Sequence, residues 1–192
     1  MATNPAKDKV ISFNIRILLP PTGSDYAAGV GSAYLFDLKP GDTVTAIGPF
    51  GEFHIKETGR EMVYLGGGSG MAPLKSHLAY LLETQQTRRR ISYWYGARSM
   101  QDLYYTDYFE DLAAKYGNFS FQAALSEPRP EDDWDGPTGF IHVVLKRTYL
   151  DTHPNPSQID YYLCGPPVMI QAAVKMLKEH GVPAEQIAYD EF

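Results

Sequence analysis

The sequence predicts an α/β protein: a five-stranded parallel, doubly wound sheet in strand order 3-2-1-4-5, preceded by a partial antiparallel β-barrel. Three observations predict it. Near Thr58-Gly59 the texture changes from short β-rich runs to a regular strand–loop–helix alternation. That alternation implies right-handed crossovers, and so parallel strands covered on both faces. The two most unusual loops, LGGGSGMAP (65–73) and LCGPPVM (163–169), then end the first and fourth strands, on either side of the crevice that this strand order creates.

Residues 1–58 make the first unit. KVISFNIRILL, SAYLFDL, DTVTAIG and GEFHIK read as strands separated by turns such as Lys39-Pro40-Gly41-Asp42. Four strands are fewer than a closed barrel needs, so this unit is expected to be truncated. Residues 59–192 make the second unit. EMVYLG is a short apolar strand, and PLKSHLAYLLETQQ sets Leu74, Leu78, Leu81 and Leu82 on one helical face. ISYWYGA is the second strand, followed by the helix DLYYTDYFEDLAAKYG, closed by Gly117. FSFQAALS is the third strand, followed by the acidic loop EPRPEDDWDGPTG and the apolar helix FIHVVLKRTYL. IDYYLCG is the fourth strand, PVMIQAAVKMLKEHG a helix with Gly181 at its C-cap, and QIAYDEF the last strand.

Composition excludes several functions. The 192 residues carry a net charge of -6, which argues against general nucleic-acid binding. The basic triplet Arg88-Arg89-Arg90 precedes a β-rich run and reads as a solvated turn. A single cysteine rules out an internal disulfide and an iron–sulfur cluster held by this chain alone. The five histidines have no metal-ligand spacing, so no metal site is expected. No apolar run approaches the ~20 residues of a membrane helix, so the chain itself reads as soluble.

The loop after the first strand carries the chemistry. GGGSGMAP gives backbone amides an unobstructed approach to a pyrophosphate at a helix N-terminus, with Pro73 in the first helical turn. Its spacing, Gly68-x-Gly70-x-x-Pro73, departs from G-x-G-x-x-G, and Leu74 before Lys75-Ser76 excludes a Walker A loop. Alone, such a turn is compatible with a tight connection. With Cys164 opposite, a dinucleotide site is favoured. Cys164 has two readings. A buried small hydrophobe is the commonest fate of a free cysteine. A thiol at a strand end facing a nucleotide crevice instead lines the space where nicotinamide lands, in a positioning role that needs no thiolate attack.

LGGGSGMAP, WYGARS, ALSEP, YYLCGPPVM and the terminal YDEF, in this order, resemble the ferredoxin–NADP reductase superfamily. GPFGEFHIK, YWYGARS and EDDWDGPTGFIH are similar, within it, to the F subunits of Na+-translocating NADH:quinone reductases. The resemblance implies a flavin-binding barrel over 1–58, an NADH-binding domain over 59–192, and hydride transfer from NADH to FAD. It implies that Gly66, Gly67, Gly68, Ser69, Gly70 and Met71, ahead of Pro73, hold the NADH pyrophosphate. Cys164, with Gly165 and Pro166, would flank the nicotinamide, and Gly96, Arg98, Ser126 and Glu127 would meet the adenosine half. Gly29, Val30, Gly31 and Ser32 would approach the FAD pyrophosphate, Phe192 would cover the isoalloxazine, and Asp190 would be an active-site carboxylate.

Two departures stand out. The superfamily's Arg-x-Tyr-Ser flavin motif is absent, and MATNP resembles the stretch that follows it. The chain is therefore expected to be a C-terminal portion of a longer subunit, with FAD affinity lowered by ~2–5 kcal/mol for a lost charge-assisted contact and aromatic wall. After ALS, where NADP-dependent relatives commonly carry Arg, this chain has Glu127, which points to NADH. Arg98 is the counter-signal, because arginine serves an adenine face or a phosphate.

The expected function is an NADH:flavin oxidoreductase module. It would pass electrons to a [2Fe–2S] centre outside this chain and on to quinone, in a complex with other subunits at the cytoplasmic face of a bacterial inner membrane. The alternatives are the reductase component of an oxygenase and a non-catalytic dinucleotide-binding module. Three smaller expectations complete the reading. Phe192 caps an ordered last strand, His77 and His142 are structural or exposed, and Trp134 sits in a partner-facing loop or in an Ω-loop with its ring tucked inward.

Overall fold

Five apolar runs pair into one parallel sheet: β1 (Glu61–Gly67), β2 (Ile91–Ala97), β3 (Phe119–Leu125), β4 (Ile159–Gly165) and β5 (Ile187–Glu191). In this computed structural model, which describes residues 1–17, 20, 23, 29–48 and 50–191, their order is β3-β2-β1-β4-β5, the predicted one. Every residue of β4 is buried, as a central parallel strand with both faces covered requires. Side chains alternate between two cores. Val63, Leu65, Trp94, Tyr161 and Leu163 belong to one, with residues of α4 (Ile141–Thr148) and α5 (Pro167–Glu179). Met62, Tyr64, Tyr93, Tyr95, Tyr162 and Cys164 belong to the other, with residues of α2 (Met71–Ala79) and α3 (Thr106–Lys115). Tyr64, Tyr93, Tyr95, Tyr161 and Tyr162 are thus internal, with Tyr64 stacked on Tyr162 at 4.7 Å between ring centroids.

Helix ends follow local chemistry. α5 begins at Pro167, whose missing N–H would have no intrahelical partner, and Gly181 follows at φ +74. A single π turn (Tyr80–Thr84) extends α2. α3 starts later than the sequence suggests, because Tyr105 at φ +58 separates it from a 3-10 turn at Met100–Asp102.

The first 58 residues differ from the expectation. Among the described residues, no strand precedes Glu61, and SAYLFDL falls in and just after a helix, α1 (Val30–Asp37). A β-rich segment becomes a strand only when a neighbouring backbone pairs with it in a ladder, and among the described residues these runs show only isolated backbone contacts, such as the Ala2 amide donating to the Ser12 carbonyl at 2.9 Å. Part of the segment packs on α2 instead. Lys75 Nζ donates to the Ala2 carbonyl at 3.0 Å, Ser76 Oγ to Thr3 at 2.7 Å, and Asn4 Nδ2 to Ala79 at 3.2 Å.

The basic triplet is only partly a solvated turn. Arg88 and Arg90 are exposed, but Arg89 turns inward to Asp160, a fully buried β4 carboxylate, with Nη2–Oδ2 at 2.7 Å. Arg60 approaches the same carboxylate at 3.4 Å, and the Thr58 hydroxyl bonds it as well. Arg89 also reaches the Lys56 carbonyl at 3.1 Å, so one ion pair joins β4 to the segment entering β1 and to the one entering β2. Asp160→Ala is expected to destabilise the protein by about 3–5 kcal/mol, because it leaves a buried guanidinium without its carboxylate. Arg60→Ala, at the more exposed partner, is expected to cost less than about 1 kcal/mol. Urea unfolding of the two variants measures both.

Candidate functional site

The site begins where β1 runs out of side chains. Gly66 and Gly67 end the strand, Gly68–Gly70 form a 3-10 turn, and Gly70 is the N-cap of α2. Two of these glycines are required for different reasons. Gly68 adopts φ +54, which disfavours other residues, and the space where its Cβ would stand is open. A Cβ on Gly70 would lie 2.2 Å from the Cys164 carbonyl oxygen, so only glycine lets this turn cross the end of β4. The result is a glycine turn opening a helix, in which the Met71 amide donates back to the Gly68 carbonyl and the positive end of the helix dipole faces the turn.

Beside this turn lies a cavity of about 660 Å³. Gly67, Gly68 and Ser69 form one wall. Gly96, Ala97 and Arg98 form a second with Asp102 and Tyr104, and Ser126 follows at the end of β3. Phe140 and His142, at the start of α4, stack at 6.0 Å on a third side. Pro166, Val168 and Met169 close the fourth from α5, and Asn14, Ile15 and Arg16 reach the rim from the N-terminal segment. The buried Tyr95 hydroxyl ties two walls together, donating to the Gly68 carbonyl at 3.1 Å and facing that of Asp102 at 3.3 Å. Burial raises this phenol above its ordinary pKa, so it stays protonated as a donor. Arg98 Nε pairs with Asp102 Oδ2 at 3.1 Å. Desolvation lowers the His142 pKa, favouring its neutral form.

Among the sequence candidates, Gly67, Gly68, Ser69, Gly96, Arg98, Ser126 and Pro166 share this cavity. Gly66, Gly70, Met71, Cys164 and Gly165 are buried just behind it. The Cys164 side chain faces the α2–α3 core, 1% exposed, and is the buried small hydrophobe of the two readings. Burial, and secondarily the Asp190 carboxylate, push its thiol up to about 12. Glu127 is exposed and outside the lining, its amide donating to the Arg98 carbonyl at 2.8 Å.

A second cavity, of about 640 Å³, brings Pro73, Ser76 and His77 together with Tyr189, Asp190 and residues 50–54. His77 stacks on Phe53 at 5.1 Å, and burial lowers its pKa to about 4. Gly29, Val30, Gly31 and Ser32 line neither cavity. They lie at the start of the solvent-facing α1, where Ser32 Oγ donates to the Gly29 carbonyl at 3.1 Å. Phe192 lies outside the described residues. Trp134 folds over Gly136 and donates to the Pro137 carbonyl at 3.0 Å, the inward-tucked of the two loop arrangements.

The sequence pattern did not single out Arg16, Asp102, Tyr104 or Phe140 and gave His142 no site role. The spacing of Arg98 and Asp102, four apart after a strand end, was the one available signal. Arg16 carried none, because its segment read as a barrel strand.

Residues 64–175 match the family described as oxidoreductase NAD-binding domain. The chain is 50% identical over its full 192 residues to the F subunit of the Na(+)-translocating NADH-quinone reductase of Pseudomonas aeruginosa, covering 47% of that protein. It is 51% identical over 193 aligned positions to the equivalent F subunit from Klebsiella pneumoniae, again covering 47%. The chain thus spans about half the length of these curated relatives. Among solved structures, it is similar to the cytochrome P450 reductase GcoB of Amycolatopsis, with a TM-score of 0.74 at 32% identity over 85% of this chain and 49% of that one. It is also similar to the flavohem-like FAD/NAD-binding domain of nitric oxide dioxygenase from Vibrio cholerae, with a TM-score of 0.73 at 27% identity over 88% and 67%.

The buried thiol has a measurable consequence. A raised folded-state pKa means that burial of the neutral thiol contributes stability that is fully present below the unfolded value of about 8.5 and declines as pH rises from there towards about 12. In the native chain at pH 8, Cys164 is expected to react with iodoacetamide at least about 100-fold more slowly than in urea. Equal rates in the two states would overturn the assignment.

Proposed function

The chain belongs to the oxidoreductase NAD-binding domain family, and from that premise we propose that it binds NADH in the first cavity and delivers the hydride towards FAD. The observation that carries this reading is the convergence of Gly67–Ser69, Arg98, Ser126 and Pro166 on one cavity at the crevice between β1 and β4.

Each group has a physical task. The glycine turn offers backbone amides to a pyrophosphate, and the N-terminus of α2 favours its charge. Arg16 and Arg98 bring two cations against one lining carboxylate, Asp102, which suits an anionic ligand. Phe140, Val168 and Met169 supply apolar surface that excludes water from a nicotinamide. Cys164 acts from beneath. Its small side chain packs in the core while its carbonyl supports the turn at Gly70.

The flavin side fits in part. Pro73, Tyr189 and Asp190 share the second cavity and are the residues that would face FAD, while Gly29–Ser32 stand on α1 away from both cavities. When bound, FAD supplies the acceptor that takes the hydride of NADH together with a solvent proton. The 50%-identical relatives are named as subunits of a Na(+)-translocating NADH-quinone reductase, which supports a wider setting with quinone as the eventual acceptor; passage through a [2Fe–2S] centre on the way is part of this proposal. With one cysteine, this chain cannot hold such a cluster alone, so the centre would be supplied from outside it. Among the described residues, no helix is long and apolar enough to cross a membrane, so attachment at the cytoplasmic face would come through partners or other parts of the parent subunit. A second reading, the reductase component of an oxygenase, is supported by the likeness to the ferredoxin reductase of carbazole 1,9a-dioxygenase, with a TM-score of 0.64 at 30% identity over 76% of this chain and 42% of that one.

Two measurements test the proposal. Energy transfer from tryptophan to NADH reports binding without any flavin. Mixing the chain anaerobically with FAD and then NADH reports hydride transfer as flavin bleaching. NADH binding followed by bleaching supports the full reading. Binding without bleaching, at FAD concentrations where flavin fluorescence shows FAD to be bound, would leave a dinucleotide-binding module and remove the hydride-transfer role from this chain. Absence of binding would overturn the reading altogether.

A further inference from the structure

We propose that Met169 is the gate of the first cavity: its thioether covers the crevice between the ends of β1 and β4, and the nicotinamide end of the ligand enters by displacing it. The inference rests on the dinucleotide reading above and names the side chain that controls entry to that site.

The placement of three residues carries it. Gly66 and Cys164 are the last paired residues of β1 and β4, so Gly67 and Gly165 stand together where the two strands finish. Met169, in the first turn of α5, reaches over both. A Cβ on Gly67 would lie 2.5 Å from its sulfur, and one on Gly165 would lie 2.7 Å from its methyl carbon. The two glycines therefore make a floor without side chains, and the thioether lies on it. Met169 also stands at the margin of the core. Ile170, Ala173, Met176 and Leu177 of the same helix are buried, whereas Met169 is only partly buried and lines the cavity.

The neighbouring strand shows what a fixed cover looks like. A Cβ on Gly96, near the end of β2, would lie 2.7 Å from Ile141 Cγ2, and Ile141 is buried. Isoleucine is branched at Cβ and holds one strongly preferred rotamer in a helix, so that part of the wall stays in place. Methionine is unbranched and flexible, so its end can leave the floor while its stem stays packed. Pro166, whose Cδ would lie 3.3 Å from a Cβ on Gly67, is a rigid ring and fixes one side of the opening. The space under a displaced thioether is apolar and floored by glycine backbone, which suits a planar ring better than a phosphate. The displaced sulfur can then lie at the edge of that ring, a favourable contact for a thioether. A closed gate lowers the apparent affinity in proportion to the fraction of molecules that are open.

The test compares NADH with ADP-ribose, which lacks the nicotinamide ring, by calorimetric titration of the chain without flavin. Met169→Ala removes the cover and is expected to tighten NADH by about threefold or more. Met169→Phe replaces it with a stiffer and larger one and is expected to weaken NADH by about tenfold or more. ADP-ribose is expected to move less than about twofold in both variants, which also shows that each has folded. Opposite shifts for NADH with ADP-ribose steady support the gate, because a side chain needed only for packing would weaken binding in both variants. NADH weakened in Met169→Ala as well as in Met169→Phe would overturn the proposal. So would NADH unchanged in both variants, or shifts of equal size for the two ligands. A wild-type chain that binds neither ligand would instead overturn the dinucleotide reading, and this inference with it.

Discussion

The contact on which the rest of this structure depends is the passage of Gly70 across the end of β4. With the position of a Cβ only 2.2 Å from the Cys164 oxygen, the two backbones meet with nothing between them. A side chain there would lift the turn off the sheet, and the start of α2 would tilt with it. The neighbouring glycines meet the same limit more softly. A Cβ on Gly66 would strike the Tyr93 hydroxyl at 2.7 Å, and one on Gly67 would strike the Met169 sulfur at 2.5 Å. Met169 can swing aside, but the Cys164 carbonyl cannot, so Gly70 is the fixed point. A small residue at 164 belongs to the same constraint, because its side chain fills the core directly beneath that crossing.

The two ends of the sheet divide the labour. At the end where the strands begin, charged side chains act as staples. Asp160 gathers Arg89 and Arg60, and Glu61 gathers His153 at 3.3 Å, Arg90 at 3.8 Å and the Tyr149 hydroxyl. At the end where the strands finish, side chains give way to glycine and backbone groups stand bare. A parallel sheet makes this asymmetry available, since every strand finishes on the same side. Ion pairs are concentrated at one end of the sheet, and glycine backbone is exposed to the first cavity at the other.

The sheet is legible in the sequence because each strand is a short, mostly apolar run and each pair of consecutive strands is joined through a helix, so order and handedness follow from general rules of chain connection. The glycine turn was legible because only glycine tolerates φ near +54 at Gly68 and the close approach at Gly70. Other features were not legible, for reasons that lie beyond local pattern. The runs before Thr58 alternate as strands do, but strand formation depends on a partner backbone, which no local pattern encodes. Arg89 looked like its solvated neighbours, because the buried carboxylate that draws it inward is 71 residues away in the chain. Glu127 stands next to a strand end, where its side chain is exposed, while Asp102, which lines the first cavity, lies within what the sequence reads as a helix. In each case the missing information is a distant contact.

The buried tyrosines show how core and site become one construction. A phenylalanine at any of these positions would fill similar space, so the hydroxyls are informative where they find partners. Tyr161 donates to the Pro156 carbonyl at 2.9 Å, fixing the loop that enters β4. Tyr162 accepts from the Lys56 amide at 2.9 Å, fixing the segment that leads into β1. Tyr95 does the same for the cavity, because its ring is locked in the core while its hydroxyl reaches the carbonyls of Gly68 and Asp102. Core packing therefore sets the separation between the glycine turn and the Arg98–Asp102 pair. A ligand spanning the two would meet a distance fixed by the sheet rather than by the loops, since a half-exposed ion pair on a short turn is held in place through the core beneath it.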